Sequence, residues 1–65
     1  MCNYTVFLVR DGDEQRIMET VDRIEPEGDG LVLTDIFGEQ TSVQAHIHAL
    51  ELMDNKIYLK EGARP

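Results

Sequence analysis

Apolar residues crowd the start of the chain and alternate with polar ones along most of the rest. In Tyr4-Thr5-Val6-Phe7-Leu8-Val9, one alternating face carries Tyr4, Val6 and Leu8, and the other carries Phe7 and Val9. The β-branched and aromatic content predicts a strand over Asn3–Arg10. A strand that is apolar on both faces needs cover on both sides. In a chain this short the core supplies one cover, and a subunit interface is the natural second. Asp11-Gly12-Asp13 reads as a tight turn, and Pro26-Glu27-Gly28-Asp29-Gly30 as a turn cluster. Leu31–Ile36 is a strand, Phe37-Gly38-Glu39 a turn, and Gln40–Val43 a returning strand. Ile47–Met53 alternates less cleanly, with Leu50 and Leu52 on one face if extended. Asp54-Asn55 suits a two-residue hairpin connector, and Lys56–Lys60 alternates with Ile57 and Leu59 inward. Residues 61–65 are polar and read as a frayed end.

The stretch Glu14–Glu25 is ambiguous. Ile17, Val21 and Ile24, with Met18 alongside, fit helical spacing, and the Glu, Gln, Arg and Met content favours helix. A strand reading requires a break near Glu19-Thr20. Elsewhere the pattern gives an all-β chain: one antiparallel domain over residues 1–65, closed into a small barrel that removes exposed edges.

Sixty-five residues bury only about 60% of the surface of the unfolded chain, so such domains commonly gain stability from a disulfide, a metal or a partner subunit. One cysteine forms no internal disulfide, which favours the partner. The hydrophobic fraction of 42% argues against disorder. The longest apolar run, Val6–Val9, is far too short to span a membrane as a helix. The N-terminal residues lack the basic and apolar regions of a secretory signal, and the unpaired thiol fits a reducing compartment, so a cytoplasmic protein is expected. Thirteen acidic residues against six basic ones give a formal net charge of −7. Nucleic-acid affinity rests on Lys and Arg at phosphates, so that balance counts against RNA or DNA as a partner.

Cys2 is the residue with most chemical promise. If Met1 is removed, the free amine and the Cys2 thiolate close a five-membered chelate ring on a metal ion. If Met1 remains, its amine, the Cys2 amide nitrogen and the sulfur form two fused rings. Planar nitrogen and sulfur donors favour Ni(II) or Cu(II) over Mg(II) or Ca(II). A thiol is largely protonated at neutral pH, so metal uptake releases a proton and weakens in acid. Two chains about a two-fold axis would bring two thiolates to one ion. A small buried thiol and an intermolecular disulfide are the competing readings.

His46 and His48 share a face if extended and provide two imidazoles for Zn(II), Ni(II) or Cu(II), without the further ligands of a structural site. A pair of surface histidines is the simpler reading. The acidic turns Asp11-Gly12-Asp13-Glu14 and Glu27-Gly28-Asp29 do not follow the calcium-loop pattern. Met1, Met18 and Met53 read as core filler. No phosphate loop follows Gly28-Asp29-Gly30, and Cys2 with either histidine makes a poor nucleophile and base without an oxyanion site, so no catalysis is expected. Tyr4, Phe7, Phe37 and Tyr58 would serve an RNA-stacking module but lack interleaved Lys or Arg, and core positions explain them more simply. A regulatory subunit docking by its acidic surface is a further alternative.

The opening Met1-Cys2, the segment Val21-Asp22-Arg23-Ile24-Glu25-Pro26-Glu27-Gly28-Asp29-Gly30-Leu31-Val32-Leu33-Thr34-Asp35-Ile36-Phe37-Gly38-Glu39, and Leu50-Glu51-Leu52, Asn55-Lys56-Ile57 and Leu59 together resemble the CooT family. These are small nickel-binding proteins associated with maturation of carbon monoxide dehydrogenase. The resemblance implies a compact SH3-like β-barrel subunit, a homodimer, and a Ni(II) site that uses Cys2 and leaves His46 and His48 outside it. It also implies a metallochaperone serving a nickel enzyme or its maturation machinery. Strands over Glu14–Glu25 follow from the resemblance, against the periodicity.

Overall fold

In the computed structural model, which describes residues 3–62, the doubly apolar segment forms β1 (Tyr4–Arg10), an inner strand of one six-stranded sheet. The others are β2 (Asp13–Glu27), β3 (Gly30–Asp35), β4 (Gln40–Val43), β5 (Ala45–Glu51) and β6 (Lys56–Glu61), in the order β4-β3-β2-β1-β6-β5. The all-β expectation is met. No helix among the described residues is long and apolar enough to cross a membrane.

The first two hairpins turn as their residues dictate. Asp11 and Gly12 both take positive φ, 51° and 84°, which a type I′ turn requires between the paired Arg10 and Asp13. Gly28 (φ 59°) opens the next two-residue turn, between Glu27 and Gly30. At the third turn the Asp35 carboxylate Oδ1 accepts from the backbone N–H of Phe37 and of Glu39, each at 2.9 Å. The Asp35 backbone also bonds to Glu39 and Gly38, so this residue organises the whole reversal.

The helical spacing of Glu14–Glu25 belongs to a bulged strand. β2 carries an extra residue where Tyr4/Val6 face Val21/Met18, and again where Val6/Phe7 face Met18/Arg16. A third irregularity separates Val21 from Arg23 opposite β3. Each bulge inserts one unpaired residue and bends the strand. Inserting extra residues into a period of two spreads Ile17, Val21 and Ile24 to intervals of four and three. The break expected near Glu19-Thr20 is a bulge within one 15-residue strand rather than an end between two short ones. Bent in this way, β2 pairs with β1 along its first half and with β3 along its second.

Several expectations need correction. The sheet is not wholly antiparallel, because β1 and β6 pair in parallel, Val6 opposite Ile57 and Leu8 opposite Leu59. The chain passes from β4 to β5 through Gln44 alone and without reversing, so the β5–β6 hairpin arrives with opposite parity. Asp54-Asn55 is not a two-residue connector either. β5 ends at Glu51, which pairs with Lys56, and Leu52–Asn55 make a four-residue turn with Asn55 at φ 57°. Leu52 therefore leaves the strand that would have aligned it with Leu50.

The sheet curls into a half-barrel rather than the closed barrel expected from the sequence, because β4 and β5 end it without pairing to each other. Val6, Leu8, Leu33, Ala45, Ile57 and Leu59 are buried at its centre, with Tyr4, Ile17, Met18, Val21, Ile24, Leu31 and Val43 packed around them. Val6, Leu33 and Leu59 exclude solvent essentially completely, and each such side chain contributes about 1.5–3 kcal/mol of transfer free energy. At the β4–β5 corner, Gly30 lies so close to Val43 and Gln44 that a Cβ would press into the Val43 carbonyl oxygen. Met53 is not core filler: it is 98% exposed at the tip of the four-residue turn. Phe37 is likewise exposed, at the Asp35 turn.

Candidate functional site

Cys2, the predicted metal ligand, lies outside the described residues, so its expected role is carried by what surrounds the strand it leads into. Tyr4, two residues on, is half-buried opposite Val21. Two residues of extended chain reach about 7 Å at most. The start of β1 is pinned on both sides: the Thr5 N–H donates to the Asn55 carbonyl at 2.9 Å, and its hydroxyl donates to the Glu19 carbonyl at 3.4 Å. Tyr4 also lines an apolar cleft of about 250 Å³ with Val21, Ile24, Leu50, Leu52 and Ile57, edged by Asp22.

No group of three or more His, Cys, Asp or Glu among the described residues is placed to hold a metal ion. His46 lies opposite Lys60, and its Nδ1 is 3.0 Å from the Gly62 carbonyl oxygen. A carbonyl only accepts, so Nδ1 donates. His48 occupies the irregularity between Ile47 and Ala49, where β5 has one residue more than β6. That bulge breaks the simple two-residue alternation on which the paired-imidazole reading depended. The acidic segments around Gly12 and Gly28 are exposed hairpin turns.

On the outer face of β1, Phe7 stacks on Tyr58 with centroids 5.4 Å apart and planes 23° from parallel. The Lys56 ammonium sits 5.9 Å over the Phe7 ring. Sequence reasoning placed these aromatics in the core, but the parallel β1–β6 pairing, invisible in the sequence pattern, sets Phe7 and Tyr58 side by side on the opposite face. Desolvation pushes the Tyr58 phenol above its usual range, and the nearby carboxylates of Glu51, Glu14 and Asp54 push it further. Tyr58 Oη donates to Glu51 Oε1 at 3.4 Å.

Comparison with known proteins agrees with this architecture. The family model described as "CO dehydrogenase accessory protein CooT" matches residues 1–60. A solved structure, "Crystal structure of putative CooT from Carboxydothermus hydrogenoformans", superposes with a TM-score of 0.84 at 37% identity, covering 92% of this chain and 97% of that one. No curated protein matches. A family match that takes in Met1-Cys2 and all but the last strand residue, together with the same fold over nearly the whole length of a solved relative, shows that this chain belongs to the CooT family of CO dehydrogenase accessory proteins.

Proposed function

We propose that this chain is a nickel carrier for the maturation of carbon monoxide dehydrogenase or a related nickel enzyme, and that it catalyses no reaction itself. Ni(II) is its cargo, taken by the Cys2 thiolate with backbone nitrogen donors at the start of the chain. The single observation that carries the reading is the family match, which begins at residue 1 and so takes in the Met1-Cys2 pair. The anchoring of Thr5 supports it, because it fixes the start of β1, the strand into which Cys2 leads.

A homodimer of SH3-like subunits completes the proposal, working in the cytoplasm. The outer face of β1, with Phe7 and Val9 half-buried and Phe7 stacked on Tyr58, is apolar enough to pair with its copy. Pairing there brings two leaders towards one axis and lets two thiolates share one ion. Release to a client is easiest from a chain end, where local opening costs least.

Calorimetric titration of Ni(II) into the native protein and into Cys2→Ser tests this, with circular dichroism as the fold control and mass measured alongside. The native protein should saturate at one ion per two chains and develop a sulfur-to-Ni(II) charge-transfer band that acid removes. Equal affinity in Cys2→Ser rejects Cys2 as the ligand. Saturation at one ion per chain rejects the shared site while keeping the thiol.

A further inference from the structure

The half-barrel is open along one side, and that opening has the features of a peptide groove. β5 ends the sheet, so one of its edges has no strand beside it. Across the gap lies the second half of β2, which pairs with β3 on one side, while the β1 ladder on its other side ends at Val21. Ile47 and Leu50 pair with the buried Leu59 and Ile57 and so point towards the barrel interior. They are nevertheless 48% and 52% exposed, because among the described residues no strand pairs with the far edge of β5. Two clefts follow this seam: one of about 550 Å³ beside Gly30, Leu31 and Ile47, and the apolar one of about 250 Å³ beside Ile24, Leu50 and Leu52.

The charge of the seam selects its occupant. The charged residues lining the two clefts are Asp29 and Asp22, with no Lys or Arg among the lining residues. Glu51 separates Leu50 from Leu52, Asp54 follows Met53, and Arg23, the cation of this β2 segment, lies 3.9 Å from Glu25. The free strand edges of a second copy are the neutral Gln-Thr-Ser-Val of β4, this same β5, and the Asp22–Glu27 stretch of β2, where Arg23 is outnumbered by Asp22, Glu25 and Glu27. None of them supplies a cationic strand. The apolar cleft is below the usual volume of a small-ligand pocket, and although the cleft of about 550 Å³ reaches it, two clefts along one seam suit an extended chain better.

We propose that the seam between β5 and the second half of β2 binds an extended segment of a different protein, in which apolar residues alternate with Lys or Arg. The segment adds a strand to β5, which satisfies the free edge. Its apolar side chains enter the two clefts and complete the missing wall of the core, and its cations face Asp22, Glu51 and Asp54. This is a partner surface on the opposite side of the sheet from the Phe7–Tyr58 face. It takes no nickel ion as its ligand, and its apolar cleft is shared with Tyr4 at the start of β1.

The test uses the full chain and a designed heptapeptide, Lys-Leu-Lys-Val-Lys-Leu-Lys. Controls are the same peptide with Glu for Lys, and one of identical composition with its apolar residues in a block. Fluorescence anisotropy reads affinity, and amide chemical shifts map the site. The alternating cationic peptide should bind, weaken with added salt, and shift amides of residues 45–51 and 22–27. Leu50→Ser, half-exposed and therefore foldable, should weaken it about tenfold without changing charge, and Glu51→Lys should weaken it comparably. Cys2→Ser should bind peptide as the native chain does, so failure of the nickel reading and failure of this one appear in separate experiments. Equal binding of the block or acidic peptide overturns the proposal, as do shifts confined to the Phe7–Tyr58 face. So does a Leu50→Ser chain whose mass falls while its peptide affinity stays unchanged, since the groove would then hold a second copy.

Discussion

Gly30→Ala gives the sharpest test of how the barrel corner is built. Gly30 opens β3 opposite Glu27 and sits beneath the link that carries β4 into β5. A Cβ there would lie well inside contact with the Val43 carbonyl oxygen, 3.1 Å from Gln44 Nε2 and 3.2 Å from Gln44 Cα. Two of those three neighbours are backbone, so a side-chain rotation cannot make room. Two opposing effects decide the sign. Alanine restricts the unfolded chain more than glycine does, which stabilises by about 0.4–1 kcal/mol where the native backbone tolerates it. Gly30 does not have the positive φ found at Gly28, so that gain applies in full. Against it stands overpacking, typically about 1–3 kcal/mol when backbone must move. At midrange, about 2 against about 0.7 kcal/mol, the steric effect wins by a little over 1 kcal/mol, so a net loss of roughly 1–2 kcal/mol is expected.

In a domain of this length, 1 kcal/mol moves the midpoint by about 4–8 °C, so Gly30→Ala should melt roughly 5–15 °C below the native chain. Thermal circular dichroism and urea unfolding read it. Gln44→Ala in the same chain should restore little, because the tightest neighbour is the Val43 carbonyl. Gly28→Ala is the comparison: nothing lies within 4 Å of its Cβ position, but φ is 59°, so its cost is only that of a left-handed residue, about 1 kcal/mol. An unchanged or raised midpoint for Gly30→Ala would refute the close packing of this corner.

Other outcomes follow from single contacts. Leu33→Ala empties a fully buried position and should cost about 2–5 kcal/mol, enough to leave much of so small a domain unfolded on melting analysis. The Thr34 hydroxyl is buried without a hydrogen-bond partner among the described residues, so Thr34→Val should be neutral or stabilise by up to about 1 kcal/mol, read as a midpoint no lower than native. Spectrophotometric titration should show a phenol ionising above 10, and Tyr58→Phe should remove that step. The sign for stability follows: a raised folded pKa means the unfolded chain ionises first, so the contribution of Tyr58 is intact below pH 10 and is lost as pH climbs through the folded value. Glu61→Gln breaks the 2.8 Å pair with Arg10, but both side chains are about half exposed, and the loss should stay under about 1 kcal/mol in urea unfolding.

What the chain revealed in advance was what alternation alone encodes. Ile57 and Leu59 were readable as inward, and Val6 and Leu8 as sharing one face, because each pair sits two apart on an unbulged stretch; all four are buried. Gln40–Val43 was bounded by the turn residues before it. Ile17, Val21 and Ile24 misled because three bulges add residues to β2, and nothing local distinguishes a bent strand from one helix face. The parallel β1–β6 pair was unreadable for a different reason: it depends on whether Gln44 reverses the chain, and a single residue between two strands carries no turn signature. Cys2 was conspicuous as the one thiol in the sequence and by its place beside Met1.

The same Gln44 corner governs the surface as well as the topology. Because the chain does not reverse there, β5 lies at the far edge of the sheet from β4 and the barrel stays open beside it. A reversal would have paired β5 with β4 and covered Ile47 and Leu50. Openness leaves two half-exposed apolar residues and an unpaired edge, features that ordinarily promote aggregation. The acidic residues bordering the seam counter that hazard by repelling like chains, and the same charge attracts a cationic strand. Replacing Asp22 and Glu51 together with Asn and Gln should therefore have two linked effects. Light scattering at high concentration should show self-association that the native chain resists, and affinity for the cationic heptapeptide should fall by at least the factor lost on raising salt from low to physiological strength. Self-association without loss of peptide binding would mean that the acidic border protects the edge but selects nothing.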